Sequence, residues 1–127
     1  MRQPALTTGV LVGLAGASAV VLGAFGAHAL RDVLDSRGTE LWHTAVSYHF
    51  WHAIALVLAV MQADGRSRRV AVTAFAIGIV VFSGSLYALA LGAPRWFGAI
   101  TPLGGVAFIV GWIALGIALT RRSVRES

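Results

Sequence analysis

Residues 70–91 read VAVTAFAIGIVVFSGSLYALAL, an apolar run without a single Asp, Glu, Lys or Arg. At about 1.5 Å of rise per residue, a helix of this length crosses the roughly 30 Å hydrocarbon core of a bilayer. Lipid offers the backbone no hydrogen-bond partner, so a spanning segment must satisfy its amides internally, and a helix does so. Three further uncharged runs flank this one, at about residues 5–27, 44–61 and 100–120, the second being the least apolar. The expected fold is therefore all-α: one transmembrane domain over residues 1–127, built as a four-transmembrane-helix bundle.

Composition agrees. The chain has 127 residues, of which 57% are hydrophobic and 12% charged, and a mean hydropathy of +0.80. A soluble domain carries about 25% charged residues, so much of this surface must face lipid. Cysteine is absent, which excludes a disulfide framework, a thiolate metal site and thiol redox chemistry. The net charge of +5 comes from arginine alone. Because the arginines sit in short clusters between apolar runs, they read as topology signals and not as a nucleic-acid surface.

Those clusters orient the chain. Arg2, Arg66, Arg68, Arg69, Arg121, Arg122 and Arg125 fall on one side, against Arg31, Arg37 and Arg95 on the other, where Asp32, Asp35 and Glu40 offset them. The richer side is expected in the cytoplasm, giving an N-in/C-in protein of the cell membrane. Arg2 before an apolar run and Ala27-His28-Ala29 imitate a secretory signal with its cleavage site. The run is longer than a signal core, rich in glycine and followed by three more spans, so it is read as a retained helix.

Between the runs, Ala63-Asp64-Gly65 with Ser67 reads as a tight cytoplasmic turn. Thr101-Pro102 reads as the N-cap and first-turn proline of the fourth helix. Thr39 followed by Glu40 reads as the cap of the second, which would start outside the bilayer and enter it near His43. Leu30, Val33 and Leu34 alternate with Arg31, Asp32 and Asp35. This pattern predicts a short amphipathic, interfacial helix between the first two spans, or an extension of the first.

Small residues form two stripes. Gly9, Gly13, Gly16, Gly23 and Ala27 share a face of the first helix, and Gly104, Ala107, Gly111, Ala114 and Ala118 a face of the fourth. Such stripes let helix backbones approach closely in lipid. They serve packing within the bundle, association into a homo-oligomer, or both.

Polar residues gather at one end. The segments around His28, Trp42–His52, Ser83–Tyr87 and Thr101 all belong to the outer halves of their helices, whereas the cytoplasmic halves are nearly all aliphatic. At 100° per residue, His49 and His52 share a face of the second helix. The candidate polar site is His28, Tyr48, His49, His52, Ser83, Ser85 and Thr101. Three readings of the histidines stay open: partners in a hydrogen-bonded clasp, a pocket or proton-handling site for a small molecule, quinone or lipid headgroup, and ligands of a metal or haem. Trp42, Tyr87 and Trp96 read as interfacial anchors, with Trp51 and Trp112 deeper.

Taken in order, Gly23-Ala24-Phe25-Gly26-Ala27-His28-Ala29-Leu30, Trp42 with Thr44-Ala45-Val46 and Tyr48-His49, and Phe82-Ser83-Gly84-Ser85-Leu86-Tyr87 resemble a known family, as do Ile100-Thr101-Pro102-Leu103-Gly104-Gly105 and Gly111-Trp112. It is the YgdD/YwdK-like family of small four-helix membrane proteins of unknown function. One departure is Ser47, where the family pattern has glutamine. The resemblance implies a membrane location and four spans, and no activity.

No nucleophile–base pair, phosphate loop or intramembrane carboxylate pair is present, so no catalytic residue is assigned and no cofactor or bound metal is expected. The leading expectation is a non-enzymatic multi-pass protein: a bundle or accessory subunit, or a small-molecule or lipid-binding module. The alternatives are a small transporter or proton-linked carrier using His49 and His52, and a haem or metal protein. Expected partners are the lipid bilayer and a homo-oligomer or larger membrane complex, without nucleic acid.

Overall fold

A computed structural model describes residues 5–127, so Arg2 lies outside the described residues. The described residues form four helices: α1 (Leu6–His28), α2 (Ser36–Val60), α3 (Arg66–Ala90) and α4 (Phe97–Glu126). No strand occurs among the described residues. α1, α3 and α4 are each long and apolar enough to cross a membrane. α2 has 25 residues, about 37 Å of helix, but carries Arg37, Glu40 and three histidines.

The helices pack mainly with their sequence neighbours: α1 on α2, α2 on α3, α3 on α4, with a narrower α2–α4 contact. The core lies among the last three, where Leu56, Ala59, Phe75, Ile79, Phe108 and Leu115 are buried. α1 leans on this core through Leu11, Val12 and Ala15, and Ala19 is its one buried residue.

The small-residue stripe of α4 works within the bundle. A Cβ on Gly111 would fall 2.6 Å from the Phe75 ring, and one on Gly104 only 2.7 Å from the Phe82 Cα. Bulky side chains or backbone therefore fill the space that the missing side chains leave. Gly78 admits the Phe108 ring and Gly26 the Trp42 indole in the same way. On α1 the outcome differs. Gly23 faces Val46, with a Cβ 3.3 Å from its Cγ1, but Gly9, Gly13 and Gly16 face open space. The helix turns toward α2 the adjacent face bearing Ala15, Ser18, Ala19 and Leu22, and most of its stripe stays unpartnered.

Three local expectations are corrected. The N-cap of α2 is Asp35, whose Oδ1 accepts the Gly38 N–H at 2.7 Å, so Thr39 lies inside the helix. Residues 29–34 form a turn closed by Leu30 N–H to Phe25 O and Leu34 N–H to Leu30 O. They are neither an interfacial helix nor an extension of α1, because Leu30 is buried while Val33 points outward. Finally, α4 begins at Phe97, after a turn through Gly92 at φ +99°, a conformation only glycine adopts without strain. Pro102 therefore stands inside the helix. Thr101 sends its hydroxyl toward Ser85 instead of capping.

α3 holds one feature with no sequence signature, a wide π-type turn over Ile79–Ser83. It lies where the Phe82 backbone meets Gly104 and where Ser83 turns toward α2.

Candidate functional site

Of the clustered polar residues, His49, His52, Ser83 and Ser85 are buried, and each reaches across or along a helix. His49, 4% exposed, places Nε2 3.0 Å from the Ala15 carbonyl and 3.1 Å from Ser18 Oγ, both on α1. Its Nδ1 lies 2.9 Å from the Tyr87 hydroxyl on α3. A carbonyl only accepts, so Nε2 carries the proton and Nδ1 takes the Tyr87 O–H. Ser18 donates its own hydroxyl to Ala15 O at 3.1 Å. One imidazole thereby joins three helices.

His52 is wired in the opposite sense. Nδ1 lies 2.6 Å from the Tyr48 carbonyl one turn back, so Nδ1 is the donor. Nε2 accepts the Trp112 indole N–H at 3.1 Å, and since an indole only donates, the ring is neutral. The imidazole also stacks on Phe108 with centroids 3.5 Å apart and planes 10° apart, an aromatic contact across to α4. Around it, Tyr48 and Phe82 lie 4.6 Å apart, and Phe75 and Trp112 meet edge-on at 5.4 Å.

Hydroxyls complete the set. Ser83, fully buried, donates to Ala45 O on α2 at 2.8 Å. The Ser85 and Thr101 hydroxyls lie 2.6 Å apart, a hydrogen bond that ties α3 to α4, and each also has a carbonyl of its own helix within reach, Phe82 O at 2.8 Å and Phe97 O at 3.4 Å. Unsatisfied polar groups are costly in an apolar interior, and these are satisfied by the protein itself.

The structure thus brings together Tyr48, His49, His52, Ser83, Ser85 and Thr101. It does not bring in His28, which is exposed at the end of α1. The helix rise puts His28 roughly 15–20 Å along α1 from the Ala15–Ser18 level that meets His49.

The anchor reading of two aromatic residues is also corrected. Trp42 is 5% exposed, donates its indole N–H to Leu22 O at 3.0 Å and packs on Tyr87 with centroids 4.7 Å apart. Tyr87 is committed to His49. Trp96 and Trp51 are exposed.

Sequence reasoning missed Ser18, Trp112 and Phe108. Ser18 was findable as one of the few hydroxyls in an otherwise apolar helix, and Trp112 as part of the Gly111-Trp112 motif. Phe108 carried no signal, being one apolar residue among many.

This geometry bears on the chemistry. Both ring nitrogens of both histidines already have protein partners, so a metal or haem iron would have to displace Tyr87 or Trp112. Among the described residues, no three of His, Asp and Glu are placed to share a metal ion.

Two concavities adjoin the cluster. An aromatic groove of about 660 Å³ runs between α2 and α4, lined by Tyr48, Trp51, His52, Phe82, Phe108 and Trp112 among others. A second, of about 320 Å³, sits between α1 and α2 beside the turn that joins them, with Arg31, Thr39 and His43 among its lining residues.

Comparison with known proteins agrees with the motifs. Residues 22–105 match the family model described as "Protein of unknown function (DUF423)". The chain is 47% identical over 108 residues to the UPF0382 membrane protein YwdK of Bacillus subtilis, covering 81% of this chain and 87% of that protein. It is 41% identical over 107 residues to a UPF0382 membrane protein of Haemophilus influenzae, covering 83% and 86%. With the UPF0382 inner membrane protein YgdD of Escherichia coli it shares 35% identity over 125 residues, covering 91% and 92%. No solved structure matches. The family that the motifs resembled is the one found: this helical chain, with three apolar helices able to span a bilayer, belongs to the DUF423 family of membrane proteins of unknown function.

Proposed function

We propose that the protein is a non-enzymatic four-span bundle with both termini in the cytoplasm, acting as an accessory subunit of a membrane assembly. The observation that carries this reading is the spending of the polar cluster. His49, His52, Ser83, Ser85 and Thr101 are all engaged in hydrogen bonds within the bundle, which favours a clasp over a reactive site. Support for a partner comes from α1, whose Gly9, Gly13 and Gly16 meet no neighbour, as an association face requires. That partner is a second copy of this chain or another membrane protein.

Support for the fourth span comes from α2, which lies between α1 and α3 and must share their depth. An even number of spans returns the chain to its starting side, and the arginine asymmetry favours the cytoplasm.

Native mass spectrometry of gently extracted protein tests the subunit reading. An oligomer or bound protein is expected, and bare monomer alone would contradict it. The chain has no cysteine, so single cysteines report topology cleanly. In intact cells Ser36→Cys should react with a membrane-impermeant maleimide and Ser127→Cys should not; the reverse pattern would invert the orientation.

A second reading, a binding module for a flat apolar molecule, is favoured by the aromatic groove beside His52, whose volume falls in the ligand-pocket range. Ligand bound there should quench the fluorescence of Trp51 and Trp112. Native spectra free of any small molecule would count against it.

A further inference from the structure

At the opposite end of the bundle, the seam between α3 and α4 opens into two adjoining apolar grooves. One, of about 340 Å³, is lined by Val70, Val110, Ile113 and Ile117, with Arg66 and Arg121 at its head. Its neighbour, of about 480 Å³, shares Arg66, Val70 and Val110 and adds Ile77, Ala107 and Arg69. Next to them a small polar pocket of about 50 Å³ is lined by Arg68, Arg121, Arg122 and Arg125 together with Asp64, and shares Ser67 and Arg121 with the first groove.

We propose that this end of the seam binds an anionic membrane phospholipid, with its phosphate among the arginines and its acyl chains in the two grooves. The layout carries the match: one basic pocket adjoining two apolar channels has the shape of one phosphate above two chains. Charge fits as well. Six arginines (Arg66, Arg68, Arg69, Arg121, Arg122, Arg125) stand here against two carboxylates, Asp64 and Glu126. Arg68 and Arg69 each reach Asp64 at 3.9 Å, and Arg122 holds Glu126 at 3.0 Å. Arg66, Arg121 and Arg125 pair with no carboxylate among the described residues. The first turn of α3 starts at Arg66 and adds the positive end of a helix dipole. Basic pockets between membrane helices near the polar interface are suited to anionic headgroups. The inference does not depend on what the outer half of the bundle does.

The test uses the full-length chain in mild detergent, titrated with phosphatidylglycerol or phosphatidylcholine of identical acyl chains and read by native mass spectrometry. Phosphatidylglycerol should be retained about tenfold more tightly. The double variant Arg66→Gln/Arg121→Gln should bring the two lipids close to equal retention, since each arginine near the surface is worth about fivefold, or about 1 kcal/mol, while Arg95→Gln at the opposite end keeps the full preference. Equal retention of the two lipids by the native protein would overturn the proposal, as would an undiminished preference in the double variant. Retention of glycerol phosphate as tight as that of the lipid would also overturn it, because the ligand would then be a soluble phosphate.

Discussion

The two ends of the bundle use polar chemistry in opposite ways. In the histidine half, neutral side chains are buried and committed to hydrogen bonds: His49 to α1 and α3, His52 to α4, Ser83 to α2. At the arginine end the side chains are charged, and several reach no partner within the described chain. Burial accounts for the difference. A group sealed between helices must be satisfied by protein, whereas a charge at the membrane surface is satisfied by water or a headgroup. The histidine half is therefore where polar substitutions should cost stability, and the arginine end is where they should alter binding.

The largest break expected comes from filling the contacts that support the outer half. Gly104→Leu drives a side chain into the Phe82 backbone, which cannot swing aside, and should cost about 3 kcal/mol in reversible unfolding from mixed micelles. Gly13→Leu, facing open space, should stay within about 0.5 kcal/mol in the same assay while weakening any self-association. Next, His49→Leu removes the bonds to Ala15, Ser18 and Tyr87 and should cost about 1–2 kcal/mol, the range of interhelical hydrogen bonds in membranes. Ser83→Ala, which removes one such bond, should cost about 0.6 kcal/mol. Smallest of all, Arg66→Gln/Arg121→Gln should leave the unfolding free energy within about 0.5 kcal/mol of native. A large loss there, or none at His49, would erase the contrast between the ends.

Much of this was legible beforehand because hydropathy reads directly as length in lipid. The apolar runs fall on α1, α3 and α4, although α3 starts earlier, at Arg66, and α4 runs on to Glu126, and helical spacing put His49 and His52 on one face. Local capping rules were less decisive. Asp35 and Thr39 both qualify as caps of α2, and the choice fell to Asp35 where Gly38 lies against the Ala90 carbonyl. Pro102 fits a first turn equally well, but the turn through Gly92 let the helix start earlier at Phe97.

Periodicity showed two small-residue stripes without showing what fills them. Phe75 and Phe82 stand opposite the stripe on α4, and nothing equivalent stands opposite the α1 stripe at Gly9, Gly13 and Gly16. Trp42 and Tyr87 looked like boundary aromatics, and only the packing of α1 and α3 on α2 showed Trp42 buried and the Tyr87 hydroxyl turned inward to His49. The π-type turn at Ile79–Ser83 depends on fit against Gly104 and α2, which no local pattern encodes.

The clasp makes one prediction that substitution is not needed to test. Its two histidines must hold opposite tautomers, His49 protonated on Nε2 and His52 on Nδ1, because each donates to a backbone carbonyl. Nitrogen-15 chemical shifts assigned to the His49 and His52 rings in the lipid-reconstituted protein near pH 7 read this directly. The account predicts one ring of each tautomer, with His52 neutral. Two rings of the same tautomer, or a His52 ring protonated on both nitrogens, would contradict it.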